Sequence, residues 1–249
     1  MEKTMHLAAQ YLAAAGISFL EKEPDDSHTN LGFDTSTGCL QTRELSNLGD
    51  KLSLDYKNFN LEWENKNEKV TLDLDGATHG ELLKILKKIS MTFLNKKYEY
   101  AFHYELPQAI TNSHVYKLHD AKRLRELMDL RTRVQHAIEA TIADNSLDSQ
   151  IRVWPHHFDT GAYSELPKNT DISVGFGLAI PDSLSKEHYL YISGYSKSGT
   201  IETNGFTDLS KGVWRTGDFK GAIIPSANLT TTEAAQFFQE AIDIYKNYS

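Results

Sequence analysis

The sequence predicts an α+β fold of two similar halves, in which antiparallel-rich sheets are covered by helices. The first observation is that segments of alternating apolar and polar residues are followed by amphipathic patterns with a period of about 3.6 residues. The second is a repeated capping box, T-x-x-E, formed by Thr78 with Glu81 and by Thr230 with Glu233. The third is the length of 249 residues, which lies between the usual sizes of one domain and two.

The predicted organisation is a single compact unit over 1–249, made of pseudo-halves 1–112 and 113–249. When the two capped helices are aligned from Thr78 and from Thr230, apolar and polar residues fall at corresponding positions, which favours an internal duplication. The alternative is that any two capped amphipathic helices look alike, because periodicity by itself does not establish homology. Both interpretations stay open at the level of the sequence.

The first half is predicted as a helix, an antiparallel meander and a second helix. Apolar residues recur at helical spacing over 3–15, and Gly16 is the expected stop. The capping box at Thr78 predicts a helix over 79–94. Three extended segments lie between the helices, and they are predicted at 39–45, 52–63 and 70–74.

The centre of the chain is predicted to form a β-α-β unit. Aromatic residues alternate over 98–105, an apolar stripe predicts a helix over 118–145, and 151–159 is extended with an interruption. A helical crossover joins parallel strands, so these two strands would lie in one sheet. The remaining predicted elements are strands at 172–180, 189–195 and 220–224 and a last helix that starts at Thr230.

Composition excludes several classes of protein. The chain has 26 Lys and Arg against 34 Asp and Glu, a net charge of −8, which argues against a nucleic-acid partner because phosphate contacts need a basic surface. The single Cys39 excludes an internal disulfide and fits a reducing compartment. There is neither a secretory signal pattern nor an apolar stretch of about 20 residues, so we expect a cytoplasmic protein without a membrane partner.

The block W-P-H-H-F-D at 154–159 concentrates the residues that could carry chemistry. His157 and Asp159 are two positions apart and would share one face of a strand, where they could hold a metal ion or couple a proton acceptor to a carboxylate. A metal site needs at least three protein ligands, and His103 with Glu105 are the candidate co-ligands at the same predicted sheet end. A divalent metal is therefore the cofactor considered. The alternative is a buried histidine, with Asp159 capping a turn.

Two further groups of residues point to ligand binding. Arg123 lies on the side of the apolar stripe of the central helix, where it would either fix a small anionic substrate or be bound within the protein. A strand face of small residues beside tyrosines would leave either a ligand groove or simple packing of rings over glycines. The small residues are Ser173, Gly175, Gly177 and Ala179, and the tyrosines are Tyr189, Tyr191 and Tyr195.

The motifs WPHHFD, GFGLAIPD, YLYISGY and GAIIPSANL together resemble an uncharacterised bacterial family known only as a domain of unknown function. The resemblance covers most of the chain after Leu31, and it rests on an F-D block, a Tyr-rich strand and a G-x-x-x-P segment before the last helix. His119-Asp120 matches a His-Asp pair of that family, which adds His119 to the ligand-binding candidates. The resemblance implies a bacterial protein and attaches no activity to it.

Two functions are thus expected from the sequence. In the first, His157, Asp159 and Arg123 act in a metal or acid–base site for a small anionic ligand, with His103, Glu105 and His119 nearby. In the second, the protein is a non-catalytic small-molecule-binding or interaction module with a surface lined by Tyr191 and Tyr195. The sequence predicts neither the reaction nor the oligomeric state.

Overall fold

A computed structural model describes residues 1–106, 108–167 and 169–248. The chain divides into two compact units, and each unit consists of two separate stretches of the sequence. The first comprises Met1–Asp129 and Val153–His156, and the second comprises Leu130–Arg152 and His157–Ser249. The predicted single unit, its boundary after residue 112 and the duplication remain predictions.

The first unit contains a buried helix, a five-stranded antiparallel meander and a capped helix. Strands follow one another in the order β1-β2-β3-β4-β5. The antiparallel meander was predicted with three segments, but the predicted segment 52–63 is two paired strands, and β1 was not predicted. The capping box is present, because the Thr78 hydroxyl accepts from the Glu81 N–H and the Glu81 carboxylate accepts from the Thr78 N–H. The elements are α1 (Glu2–Phe19), β1 (Gly32–Asp34), β2 (Cys39–Gln41), β3 (Lys51–Asp55), β4 (Asn60–Glu64), β5 (Lys69–Asp73) and α2 (His79–Leu94).

Helix α1 continues past Gly16, the residue at which the sequence predicted its end. A Cβ atom at Gly16 would lie 2.6 Å from the backbone oxygen of His28. This glycine therefore serves the close approach of a neighbouring segment and not helix termination. The helix is buried on all sides from Met5 to Gly16, which explains why its apolar pattern has no polar face.

The predicted strand at 98–105 does not form, so the predicted β-α-β unit is wrong. The segment has no regular secondary structure and bends at His103 and Tyr104, and its tyrosines contact helix α1 instead of a neighbouring strand. Tyr98 donates its hydroxyl hydrogen bond to the Tyr11 backbone oxygen at 2.9 Å, and Tyr104 donates to Oε1 of Gln10 at 2.8 Å. Alternation of residue types in the sequence therefore does not by itself establish a strand.

The second unit is an antiparallel sheet with helices on one face. Within this unit the strand order is β11-β12-β9-β8-β7, with β10 paired to β9, so the α+β class is confirmed. Helix α3 (Ala121–Asn145) begins in the first unit and enters the second at Leu130. The elements that follow are β6 (Arg152–Trp154), β7 (Asp159–Leu166), β8 (Asn169–Ala179), β9 (Tyr189–Ser196), β10 (Gly199–Thr200), β11 (Val213–Thr216), β12 (Lys220–Pro225) and α4 (Thr231–Lys246).

The two faces of this sheet differ in chemistry. Val174, Phe176 and Leu178 of β8 belong to the apolar core, together with Phe237 and Phe238 of α4. Burying this face against helices supplies the main stabilisation of the unit. The opposite face carries the small residues and tyrosines that the sequence singled out, and Asp159 lies at its β7 end.

Candidate functional site

The W-P-H-H-F-D block is a turn followed by the start of β7, and not a continuous strand. Residues 155–158 form the turn, and Phe158 adopts a left-handed backbone with φ of 63°. This conformation is unfavourable for a bulky residue by about 1–3 kcal/mol. Phe158 is nevertheless fully buried, whereas its neighbour His157 is exposed. The turn thus places His157 at the surface immediately before Asp159.

Arg131 of α3 holds this turn in place. Its guanidinium lies over the Phe158 ring, 4.7 Å from the ring centroid, and Nη2 donates to the Phe158 backbone oxygen at 3.2 Å. Nη1 donates to the hydroxyl of Thr160 on β7. Only 4% of Arg131 is exposed. Within the described residues no carboxylate lies within ion-pair distance of it, so the enclosed positive charge is bound by neutral groups.

The carboxyl group of Asp159 is bound on one side only. Tyr191 of β9 donates its hydroxyl hydrogen bond to Oδ2 at 2.8 Å. Oδ1 is enclosed and has no hydrogen-bond partner among the described residues. Both residues as a whole are half-buried, so the pair lies just below the surface of the unit. A buried oxygen without a donor is unusual, because nearly all buried polar atoms are paired.

Burial raises the pKa of Asp159 above its ordinary value. The hydrogen bond from Tyr191, the electrostatic interaction with His157, a hydrogen bond from the backbone N–H of Asp159 itself and the charge of Arg131 lower the pKa of the same carboxyl group, but burial is the larger effect. Burial and the neighbouring Asp159 carboxylate raise the pKa of Tyr191 well above the ordinary tyrosine value. Tyr191 therefore stays a hydrogen-bond donor, while Asp159 is shifted toward its neutral form.

Two glycines make room for the Tyr191 side chain. In the strand register Gly161 of β7 pairs with Gly177 of β8, and Gly177 pairs with Tyr191 of β9. A Cβ atom at Gly161 would lie 2.8 Å from the Tyr191 hydroxyl oxygen, closer than any tolerated contact. The phenol reaches Asp159 because this row carries no side chain beneath it. The prediction that rings cover strand glycines describes this region, and it also supplies the site.

A second tyrosine pair lies further along the same face. The rings of Tyr163 and Tyr195 have centroids 6.0 Å apart, and the Tyr163 hydroxyl contacts the Ser173 hydroxyl at 2.6 Å. Tyr163 is 58% exposed. A Cβ atom at Gly175 would make ordinary contacts with both rings, at 3.5 Å and 3.6 Å. This part of the face is an exposed aromatic surface.

The other predicted site residues lie in the first unit. His103 is paired with Asp26, with 3.1 Å between Nε2 and Oδ2, and Glu105 is an exposed residue of the same non-strand segment. Arg123 is exposed and paired with Glu126 at 3.1 Å, and His119 is exposed before α3. The argument that brought His103 and Glu105 to His157 and Asp159 depended on the parallel strands, which do not form. In the described part of the chain, no group of three or more His, Cys, Asp or Glu side chains is placed to hold a metal ion.

A buried histidine that sequence reasoning missed lies in the first unit. His79 is 4% exposed, and its Nδ1 is 2.7 Å from the Tyr11 hydroxyl. Burial lowers the pKa of His79. Its position directly after the Thr78 cap was visible in the sequence, but its partner is 68 positions away. Only the fold could join the two.

Comparisons with known proteins add no relative to this description. No family model, no curated protein and no solved structure matches the chain. Among the described residues, no helix is long and apolar enough to cross a bilayer. The candidate site consequently rests on its own geometry.

Proposed function

We propose that the second unit carries an acid–base site in which Asp159 exchanges a proton with a bound small molecule. The observation that supports this most is the Asp159 carboxyl group, which is bound by Tyr191 at Oδ2 and lacks a donor at the enclosed Oδ1. An acid or base must keep one oxygen available for the proton that it transfers. A carboxyl group whose pKa is raised by burial also titrates closer to neutral pH, where such transfer is efficient.

The neighbouring residues have separate roles in this proposal. Tyr191 is a positioning residue, because its hydrogen bond to Oδ2 fixes which oxygen of Asp159 is left without a donor. Arg131 holds the Phe158 turn and contributes a fixed positive charge. His157 is exposed beside the carboxyl group and is the candidate to receive or supply the proton from solvent. Arg123 has no part in this site.

The pKa of Asp159 provides the test. We expect a carbon-13 NMR titration of the side-chain carboxyl carbons to show one aspartate with a raised pKa, and that signal should disappear in Asp159→Asn. Asp182→Asn is the matched control, because Asp182 also accepts a hydrogen bond from a β9 tyrosine. An ordinary titration of Asp159 would refute the acid–base site.

Exposed aromatic rings favour a second function, non-catalytic binding of a small molecule or protein on the tyrosine face. Tyr163 and Tyr195 present adjacent rings, and the first is more than half exposed. The double substitution Tyr163→Ala with Tyr195→Ala would abolish such binding without changing the pKa of Asp159. Retention of all binding by that variant would remove this candidate.

We propose a bacterial, cytoplasmic protein without a nucleic-acid partner. The net charge of −8 and the single cysteine support this assignment. We also propose an internal duplication, supported by the matching capping boxes at Thr78 and Thr230. A divalent metal and membership of the uncharacterised bacterial family remain predictions from the sequence.

A further inference from the structure

The carboxyl group of Asp159 has two inequivalent oxygens, and this asymmetry indicates where its proton lies. Oδ2 accepts the hydrogen bond from Tyr191, whose hydroxyl stays protonated. An oxygen that already accepts a strong hydrogen bond is the poorer position for an added proton. In the neutral acid the proton therefore lies on Oδ1, which becomes a hydrogen-bond donor.

Arg131 places a fixed positive charge near this donor. Arg131 is enclosed, and among the described residues it is bound by the Thr160 hydroxyl and by the Phe158 oxygen and ring. His157 and Arg131 both act electrostatically on the Asp159 carboxyl group. When Asp159 is neutral, the guanidinium charge has no anionic partner in the part of the unit that the structure describes. A buried charge in that situation favours an anion from outside the chain.

We infer that this site binds an oxyanion, the carboxylate or enolate-type oxygen of a small molecule, through a hydrogen bond from Oδ1 of Asp159. The inference rests on the proposed function and adds the chemical class of the ligand to it. A neutral carboxylic acid in a poorly solvated position is a strong donor to such an oxygen. Asp159 and Tyr191 are half-buried as whole residues but Oδ1 itself is enclosed, so a ligand reaches this donor only when the side chains over it shift.

Binding must then be linked to protonation of Asp159. The bound state keeps the carboxyl proton, whereas the free site loses it as pH rises through the pKa of Asp159. Affinity for the oxyanion should be constant below that pKa and fall about tenfold for each pH unit above it. Above that pKa, binding should also take up close to one proton for each ligand.

Benzoate is a suitable probe, and benzamide is its uncharged counterpart. We would measure binding by isothermal titration calorimetry in Bis-Tris and imidazole buffers, which are cationic and do not compete as oxyanions. Different buffer ionisation enthalpies report the number of protons taken up. We expect saturable binding of benzoate, at least tenfold weaker binding of benzamide, and a loss of benzoate affinity above the pKa of Asp159.

Two substitutions of Asp159 separate the donor from general packing. Asp159→Asn keeps a donor, because its amide N–H replaces the carboxyl O–H while Tyr191 still has an acceptor. This variant should bind benzoate without the pH dependence. Asp159→Leu lacks the donor and should bind at least tenfold more weakly. Asp182→Asn should behave as the unmodified protein, since the Asp182 oxygens are already bound by Tyr189, Leu184 and Ser185.

The outcomes distinguish this inference from the proposed function. A raised pKa of Asp159 without saturable benzoate binding would overturn the oxyanion site and leave the acid–base site standing. Benzoate binding that survives in Asp159→Leu would also overturn it. An ordinary pKa of Asp159 would refute the acid–base site, and the oxyanion site with it.

Discussion

Strand β9 carries two tyrosines that each donate to an aspartate, and the two pairs have opposite character. Tyr189 donates to Oδ2 of Asp182 at 2.7 Å, and Tyr191 donates to Oδ2 of Asp159 at 2.8 Å. Asp182 is exposed, and its Oδ1 accepts from two backbone N–H groups, those of Leu184 and Ser185. Oδ1 of Asp159 is enclosed and has no partner among the described residues.

The two tyrosines make the same hydrogen bond to Oδ2 of their aspartates. The pairs differ in the partners of the other carboxylate oxygen, Oδ1. Asp182 closes its own turn through local backbone donors, which is the usual structural task of an aspartate in a loop. Asp159 follows a strained turn that a buried arginine fixes from α3, and its Oδ1 has no hydrogen-bond partner among the described residues. A hydrogen bond to a tyrosine is thus no sign of function by itself. Because its Oδ1 has no hydrogen-bond partner in the described part of the chain, Asp159 is a better candidate for a functional residue than Asp182.

Removal of Arg131 should have the largest effect on the Asp159 region. Arg131→Met would leave the Phe158 oxygen and the Thr160 hydroxyl without their donor, and it would release the left-handed turn. We expect a loss of about 2–4 kcal/mol in the free energy of unfolding. Urea denaturation would measure it, with Arg123→Met as the control, since the exposed Arg123 should contribute less than about 0.5 kcal/mol. Equal losses in the two variants would contradict the role given to Arg131.

A methyl group at Gly161 should have the next largest effect. Gly161→Ala would place its Cβ 2.8 Å from the Tyr191 hydroxyl oxygen and displace the phenol from Asp159. We expect a loss of about 1–3 kcal/mol in unfolding free energy. Gly175→Ala is the control, because its Cβ would meet Tyr195 and Tyr163 at ordinary distances. If both variants unfold at the same denaturant concentration, the tight fit at Gly161 is wrong.

Asp159→Asn should stabilise the protein at neutral pH. Since burial raises the pKa of Asp159, the folded state holds its proton more tightly than the unfolded state does. The contribution of Asp159 to stability is present at low pH and is lost as pH rises through its folded-state pKa. The asparagine variant avoids that loss, so its melting temperature should exceed that of the unmodified protein at pH 7 and approach it in acid. Each 1 kcal/mol corresponds to about 2–4 °C in a protein of this size.

Asp182→Asn supplies the contrast in the same thermal measurement. Both oxygens of Asp182 are used by donors, so the substitution should give no gain at neutral pH. A gain of equal size in the two variants would indicate a general effect of net charge and would remove the distinction between the pairs.

The smallest expected effect is that of the tyrosine hydroxyls on Asp159. The hydrogen bond from Tyr191 lowers the pKa of Asp159, so Tyr191→Phe should raise that pKa further. Tyr189→Phe should leave it unchanged. Carbon-13 NMR titration of the Asp159 carboxyl carbon would measure this pKa in both variants. An unchanged pKa in Tyr191→Phe would show that Tyr191 is not the hydrogen-bond donor to Asp159.

The predictable parts of this protein are those that depend on neighbouring residues. The capping boxes at Thr78 and Thr230 need only a threonine and a glutamate three positions apart, and both formed as predicted. The strand predicted from the period-two pattern at 98–105 was wrong, because the alternation does not reveal whether the segment pairs with a strand or packs against helix α1. Local pattern identifies conformation better than it identifies partners.

The contacts of the candidate site also join residues that are far apart in the sequence. Asp159 was predicted from its block, but Tyr191, its partner, lies 32 positions away. Their contact depends on the strand register that aligns Gly161, Gly177 and Tyr191, and one step of slippage would turn the tyrosine to the other face. Arg131 lies on the central helix, and its position over Phe158 required the turn at 155–158. The spacing of residues in the sequence predicts neither the contact of Asp159 with Tyr191, nor the strand register, nor the position of Arg131 over Phe158.

The segment Val153–His156 has a consequence for synthesis of the chain. It belongs to the first unit, where His6 and Gln10 of α1 both contact the backbone oxygen of Pro155, although α3 and part of the second unit precede it in the sequence. The nascent first unit therefore cannot complete its contacts until residue 156 has left the ribosome. A gene truncated after Asp129 would encode a first unit that lacks this acceptor. Neither unit corresponds to one contiguous stretch of coding sequence.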